Sequence, residues 1–158
     1  MTRTGPAVYL ALNGALLMLA GLFVGAAIPP VPHPRLMLAA HSAGFTASGL
    51  LSMVAGLLLS SSLCKLPPRA ASVVIRGHVA LWPLSLSEVA AAFWGTTQAL
   101  RIAGAEAGAT GGAPWQESIA IICHGVPAIA LMAASIFLAW RVWEAFRRDR
   151  TLSTEGLR

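Results

Sequence analysis

Long uncharged hydrophobic runs alternate along this chain with short polar or proline-rich segments. A helix needs about 20 apolar residues to cross about 30 Å of hydrocarbon, and four runs reach that length. They cover residues 7–28, 36–63, 77–100 and 118–143. We therefore predict an all-α fold in which residues 1–158 form one domain, a four-helix transmembrane bundle.

The connecting segments agree with this division. Prolines crowd residues 29–34 and again residues 67–68, and proline cannot continue a helix interior. The third connection, residues 103–115, is rich in Gly and Ala, and we expect it to be a flexible loop. The first run is longer than the roughly 7–15 residues of a signal-peptide core, so we interpret it as a retained helix.

Composition and charge support a membrane protein and give its orientation. Hydrophobic residues make up 56% of the chain and charged residues 11%, and the mean hydropathy is +0.71. Nine of the eleven Lys and Arg residues lie on one predicted side, with only Arg35 and Arg101 on the other. The positive-inside rule then places both termini in the cytoplasm. We expect a multi-pass protein of the cell inner membrane.

The net charge of +5 does not by itself indicate a nucleic-acid partner. Arg147, Arg148 and Arg150 directly follow the last predicted span, where anionic lipid headgroups of the bilayer explain them better. The two cysteines, Cys64 and Cys123, fall near opposite membrane faces, so we predict no disulfide. The chain has no Cys-x-x-Cys pair, phosphate-binding loop or nucleophile elbow.

Polar side chains within the spans are the informative residues, because each is costly in lipid unless it has a partner. Asn13, His41, Glu88 and His124 are the candidates. His41 and His124 enter their helices from the outer side and should lie at similar depth, with Glu88 near the midplane. Glu88 could share a charge with His124 or His78, or it could handle protons. The sequence leaves these alternatives open.

Small residues surround His41 at helical spacing. One stripe is formed by His41, Gly44, Ser48, Ser52 and Gly56, and a second by Gly14, Met18, Gly21 and Gly25. Such stripes commonly serve close helix packing, and a membrane histidine commonly joins two helices. The alternative is that His41 ligates haem iron through a neutral imidazole nitrogen, while glycine and serine leave room for the macrocycle.

The remaining histidines and aromatic residues have simpler interpretations. His33 and His78 are interpreted as structural or solvated. Phe93 and Trp94 lie deeper in a span and could face lipid or form an aromatic wall. Four tryptophans fall near span ends and are interpreted as interfacial anchors: Trp82, Trp115, Trp140 and Trp143.

Three segments resemble the hydroxylaminobenzene mutases. They are Pro-Arg-Leu-Met-Leu-Ala-Ala-His-Ser-Ala-Gly at residues 34–44, Ala-Ala-Ala-Phe-Trp-Gly at 90–95 and Gly-Ala-Pro-Trp-Gln-Glu at 112–117. Chain length, four spans and loop positions agree along nearly the whole sequence. A more distant similarity is to styrene oxide isomerase, which shares the Ala-His-Ser stretch and the same layout.

The resemblance implies a small membrane isomerase, a homotrimer with non-covalent ferric haem b at a subunit interface. The iron would act as a Lewis acid on a small aromatic substrate, converting hydroxylaminobenzene to 2-aminophenol or, alternatively, rearranging an epoxide. It also implies His41 as the metal ligand, with Gly44 and Ser48 beside the haem.

Four residues are predicted to act on the substrate: Ser48, Ser85, Glu88 and Phe93. This chain departs from its relatives at several of these positions. Ala47 and Ser48 stand where relatives carry Asn-Gly, and Ser85 where they carry Asn or Asp. The substrate could therefore differ. The alternative from another class is a non-catalytic four-helix membrane protein in which His41 and Glu88 only join helices.

Overall fold

The computed structural model describes residues 5–61 and 64–155, with side chains as far as Arg148. Every regular element in this part of the chain is helical, which confirms the all-α prediction. Six helices follow one another, and the central part of the second, Ala40–Ala47, is π-helical. They are α1 (Gly5–Ala26), α2 (Pro34–Ser60), α3 (Pro68–Val79), α4 (Leu81–Trp94), α5 (Arg101–Glu106) and α6 (Pro114–Glu155).

Three of the described helices, α1, α2 and α6, are long and apolar enough to cross a membrane. They correspond to the first, second and fourth predicted spans. Helix α2 begins at Pro34, two residues before the predicted start, because proline suits the first turn of a helix, where its missing N–H is not needed. The predicted end of this span at Leu63 lies outside the described residues.

The third predicted span, residues 77–100, is not one continuous helix in the structure. Helix begins earlier, at Pro68, is interrupted at Ala80 and ends at Trp94. Pro83 lacks the N–H that a continuous helix would donate four residues back, which weakens the helix at this point. Gly95 closes α4 in the left-handed conformation at φ 67°, which favours glycine.

Helices α3 and α4 nevertheless run side by side with α6 in the antiparallel sense. Gly77 packs against Ala130 and Ala134 near one end, and Trp94 meets Trp115 at the other with ring centroids 5.3 Å apart. The pair therefore extends along the same bundle as the long helices. That this pair forms a fourth membrane crossing stays a prediction, which a measurement of membrane topology can test.

Four crossings and the basic asymmetry together predict that both termini are cytoplasmic and the 103–115 loop lies outside. Arg3 and Arg158, which contribute to this asymmetry, lie outside the described residues. Reporter domains fused at the C-terminus and in the loop should give cytoplasmic and external signals respectively. A cytoplasmic signal from the loop would overturn the topology.

Helices α1 and α2 pack closely through glycine. A Cβ added at Gly14 would collide with Gly49 and Met53, and one at Gly56 would lie 2.8 Å from the Ala7 carbonyl oxygen. The backbones approach so closely only because these side chains are absent. The predicted use of small residues for helix packing is confirmed here.

The prediction that the whole His41 stripe shares one face is wrong for Gly44. The π-helical segment makes wider turns, with i to i+5 hydrogen bonds, and so shifts the register. His41, Ser52 and Gly56 contact α1, whereas Gly44 contacts Ser85 and Glu88 of α4. The stripe is divided between two neighbouring helices.

A buried polar network joins the helices near the break at Ala80. Asn13 donates to Ser52 Oγ at 3.0 Å and to the His78 carbonyl at 3.3 Å, and it accepts a bond from Trp82 Nε1 at 2.9 Å. Trp82 also packs edge-on against Phe45. Trp82 therefore bonds within the bundle, and its role as an interfacial anchor stays a prediction.

The connection between α4 and α6, residues 95–113, is hydrogen-bonded to the first turn of α6, and its flexibility stays a prediction. It contains α5, and the buried carboxylate of Glu117 accepts hydrogen bonds from three of its backbone N–H groups. The donors are Thr97 at 2.9 Å, Gln98 at 3.0 Å and Gly112 at 3.0 Å. Cys64 is buried and Cys123 is partly buried, and both are free in the structure.

Candidate functional site

The imidazole of His41 lies in the contact between α2 and α1. Its Nδ1 is 2.7 Å from the Gly21 carbonyl oxygen, and a carbonyl can only accept, so Nδ1 carries the proton. A Cβ at Gly25 would lie 2.9 Å from the Nδ1 and Cε1 atoms of the ring. The two glycines of α1 thus provide the acceptor and the space for the ring.

The second ring nitrogen, Nε2, makes no hydrogen bond to any described residue, and the side chain stays partly exposed. With the proton on Nδ1, Nε2 carries the lone pair. A backbone carbonyl that fixes the tautomer in this way is the usual outer partner of a metal-binding histidine. The arrangement can therefore present a neutral nitrogen ligand at the bundle surface.

His41 is the second residue of the eight-residue π-helical segment. Thr46 Oγ1 donates to the His41 carbonyl at 2.7 Å, across the wide turn. Short π-helical segments are rare and occur frequently at functional sites. The main chain on both sides of His41 is thus held in an unusual local geometry.

Two predicted site residues of α4 meet this segment at Gly44. Ser85 is fully buried, and its hydroxyl lies 2.6 Å from the Gly44 carbonyl oxygen and 2.8 Å from that of Leu81. The carboxyl group of Glu88 packs against the Gly44 backbone, where an added Cβ would collide with it. The structure thus brings Ser85, Glu88 and Gly44 together.

Glu88 faces His124 of α6, as one of the two sequence alternatives proposed. Oε1 of Glu88 is 3.6 Å from Nδ1 of His124, beyond a direct hydrogen bond. Glu88 Oε2 and His124 Nδ1 are both buried and have no hydrogen-bond partner among the described residues. His78 does not join this pair, since its ring bonds to the Val74 carbonyl at 2.8 Å.

The other predicted site residues lie elsewhere. Ser48 is buried, and its hydroxyl is 3.5 Å from the Ala43 carbonyl oxygen. Phe93 is 54% exposed on the outer face of α4. His33 lies in the turn before α2, with Nε2 beside Gly95. No described contact joins Phe93 or His33 to His41.

The sequence model of the styrene oxide isomerase family matches residues 7–143, which is most of the chain. The chain belongs to the styrene oxide isomerase family. No curated protein and no solved structure matches it significantly.

The styrene oxide isomerases are a family of isomerases, so membership indicates an isomerase. It also agrees with a multi-pass membrane protein. The match covers α1 from Ala7 onward, α2 to α5 completely and α6 as far as Trp143, so it includes every candidate residue described above. The sequence comparison with styrene oxide isomerase is confirmed at the family level. The resemblance to hydroxylaminobenzene mutases stays a prediction.

The residues around His41 fit a haem better than a bare metal ion. The described residues contain no group of three or more His, Cys, Asp or Glu side chains able to hold a metal by themselves. A haem would need only one nitrogen donor from the protein, because its porphyrin supplies four of the ligands. His41, with Nδ1 engaged and Nε2 available, supplies such a nitrogen.

Sequence reasoning found His41 and its small neighbours but missed two partners. The Gly21 carbonyl is a backbone acceptor, which no residue type reveals. Thr46 stands five residues after His41, a spacing that an ordinary α-helix would place on another face. Its hydroxyl within an apolar span was the one available signal.

Proposed function

We propose that this protein is a membrane isomerase that converts a small aryl epoxide into the isomeric aldehyde, with ferric haem b held by His41. One observation carries the proposal. The Gly21 carbonyl fixes the proton of His41 on Nδ1 and leaves Nε2 available on a partly exposed, small-residue surface. The family match supports an epoxide as the substrate.

The role of the chain is to hold the group and limit what reaches it. When bound, ferric haem b supplies a Lewis acid that polarises the epoxide oxygen without any net oxidation or reduction. His41 would hold this group through its Nε2 atom. Gly25 keeps the space in which the ring stands, because any side chain there would push the imidazole aside.

Water exclusion decides the product. The reaction is an isomerisation, in which no atom is gained or lost, whereas water adding to the opened epoxide would give a diol. Leu22, which follows Gly21 in α1, is 68% exposed, and Leu38, three residues before His41 in α2, is 50% exposed. Covered by lipid or by another subunit, these side chains keep the site dry.

We propose further that the protein is a homotrimer of the cell inner membrane with the haem at a subunit interface. The imidazole of His41 is partly exposed on a single chain, so one chain would cover a group held there only in part. A second subunit would enclose it. The exposed ring of Phe93 supports an aromatic contact for the substrate or the neighbour.

Hydroxylaminobenzene is the second candidate substrate. The three segments at residues 34–44, 90–95 and 112–117, which resemble the mutases, favour it. The hydroxyl groups of Ser48 and Ser85 lie near carbonyl oxygens of the chain itself, so their assignment as substrate contacts is a proposal that needs them to turn.

The test is a visible spectrum and two assays on the purified protein in a mild detergent. We expect a strong Soret band and conversion of styrene oxide to phenylacetaldehyde without diol. If the protein forms 2-aminophenol from hydroxylaminobenzene and does not convert styrene oxide, then hydroxylaminobenzene is the substrate and the epoxide proposal is wrong. Absence of both haem and product would leave the non-catalytic four-helix protein.

A further inference from the structure

The π-helical segment of α2 is held between two helices. On one side the His41 ring bonds to Gly21 of α1, and on the other Gly44 contacts α4. These two contacts lie three residues apart in the chain. A displacement of Gly44 is therefore transmitted directly to the backbone that carries His41.

The contact at Gly44 has two components. The Ser85 hydroxyl, 2.6 Å from the Gly44 carbonyl oxygen, bonds the segment to α4. The Glu88 carboxyl group fills the space that a side chain at Gly44 would take. Since Glu88 is only 4% exposed, its removal leaves a buried space into which the segment can move.

Glu88 is itself supported from a third helix. His124 of α6 stands 3.6 Å from Oε1, and both side chains retain a buried polar atom without a partner. A buried carboxyl group with so few hydrogen bonds is expensive inside a bundle. A role at Gly44 gives a reason for such a group to stand between these helices.

We infer that Glu88, supported by His124, is a positioning residue that holds the π-helical turn at Gly44 and thereby aims the imidazole of His41. A π-helical turn is uncommon and persists where neighbouring contacts maintain it. Glu88 and Ser85 provide these contacts from α4. The effect on the haem rests on the proposed function, whereas the effect on the turn does not.

The first measurement uses the protein without added haem. Amide hydrogen exchange is followed in the peptide that covers residues 40–47. We expect Glu88→Ala to speed exchange there by about tenfold, because the turn loses its support. Glu88→Gln, which keeps nearly the same shape, should stay close to wild type.

Glycine variants give a matched pair. Gly44→Ala places a Cβ against the Glu88 carboxyl group, whereas a Cβ at Gly125 of α6 meets nothing within 4 Å. We expect faster exchange at residues 40–47 for Gly44→Ala and an unchanged exchange rate for Gly125→Ala. In the double variant that combines Gly44→Ala with Glu88→Ala, the added methyl group occupies the space left by the Glu88 side chain. Exchange at residues 40–47 should therefore be slower than in either single variant.

The second measurement is the visible spectrum of haem-loaded protein. Glu88→Ala should shift the Soret band and weaken haem retention by about tenfold, with His41 intact. If the wild-type protein never binds haem, the proposed function fails. The exchange data still test whether Glu88 holds the π-helical turn. Unchanged exchange in Glu88→Ala would overturn the inference. Should that variant not accumulate, equal exchange in Gly44→Ala and Gly125→Ala would overturn it.

Discussion

Replacing His41 by alanine is expected to remove the haem and lower isomerisation by at least about 100-fold. No other described histidine combines a ring proton fixed by a backbone carbonyl on a neighbouring helix with a second nitrogen free at the bundle surface. With alanine at position 41, the contact between α2 and α1 offers no nitrogen ligand for the haem iron. Haem content per chain and the rate of aldehyde formation, both measured on purified variants, check this expectation.

The other histidines serve as controls for His41. His78→Ala should keep its haem and lose stability, since the buried ring bonds within its own helix to Val74. His33→Ala should keep both haem and rate. If His41→Ala retains haem and activity while His124→Ala loses them, then the ligand is His124 and the assignment made here is wrong.

Glu117→Ala is expected to lower the apparent melting temperature by about 10 °C, corresponding to a loss of about 3 kcal/mol. The carboxylate accepts from three backbone N–H groups, two directly after α4 and one just before α6. Without it these donors lose their acceptor, at about 1–3 kcal/mol for each one left buried. Thermal unfolding in detergent measures the loss, and faster proteolysis at residues 95–113 locates it.

Glu106→Ala is the matched control for Glu117→Ala. Glu106 belongs to the same connection, and its carboxylate pairs with Arg35 at 3.2 Å. The two side chains are 56% and 66% exposed, so the pair contributes less than about 1 kcal/mol. Equal melting temperatures for the two variants would show that the buried carboxylate does not order the loop.

Several features of the fold were predictable from the sequence, because they depend on local composition. An uncharged run long enough to cross the bilayer must satisfy its backbone internally, so it becomes a helix whatever its neighbours are. This accounts for α1, α2 and α6. Glycine at helical spacing likewise indicates close packing, and the α1–α2 contact at Gly14 and Gly56 follows it.

The candidate site was predictable in part. His41 stood out as an ionisable residue in an apolar span with small neighbours, and the structure gives it a partner on α1. Glu88 also stood out, but two histidines were possible partners. Only the packing of α4 against α6 placed His124 beside it, with His78 turned to its own helix.

Tertiary structure alone decided three features. The π-helical turn moves Gly44 from the α1 face to the α4 face, although the sequence spacing is that of an ordinary helix. The hydrogen bond from Asn13 to the His78 carbonyl oxygen, next to the break at Ala80, and the bond from the Thr97 N–H to Glu117 likewise join segments far apart in the chain. Hydrophobic periodicity reports which local structure a segment prefers, whereas these features depend on the energy of contacts between distant segments, which exists only once the helices have packed.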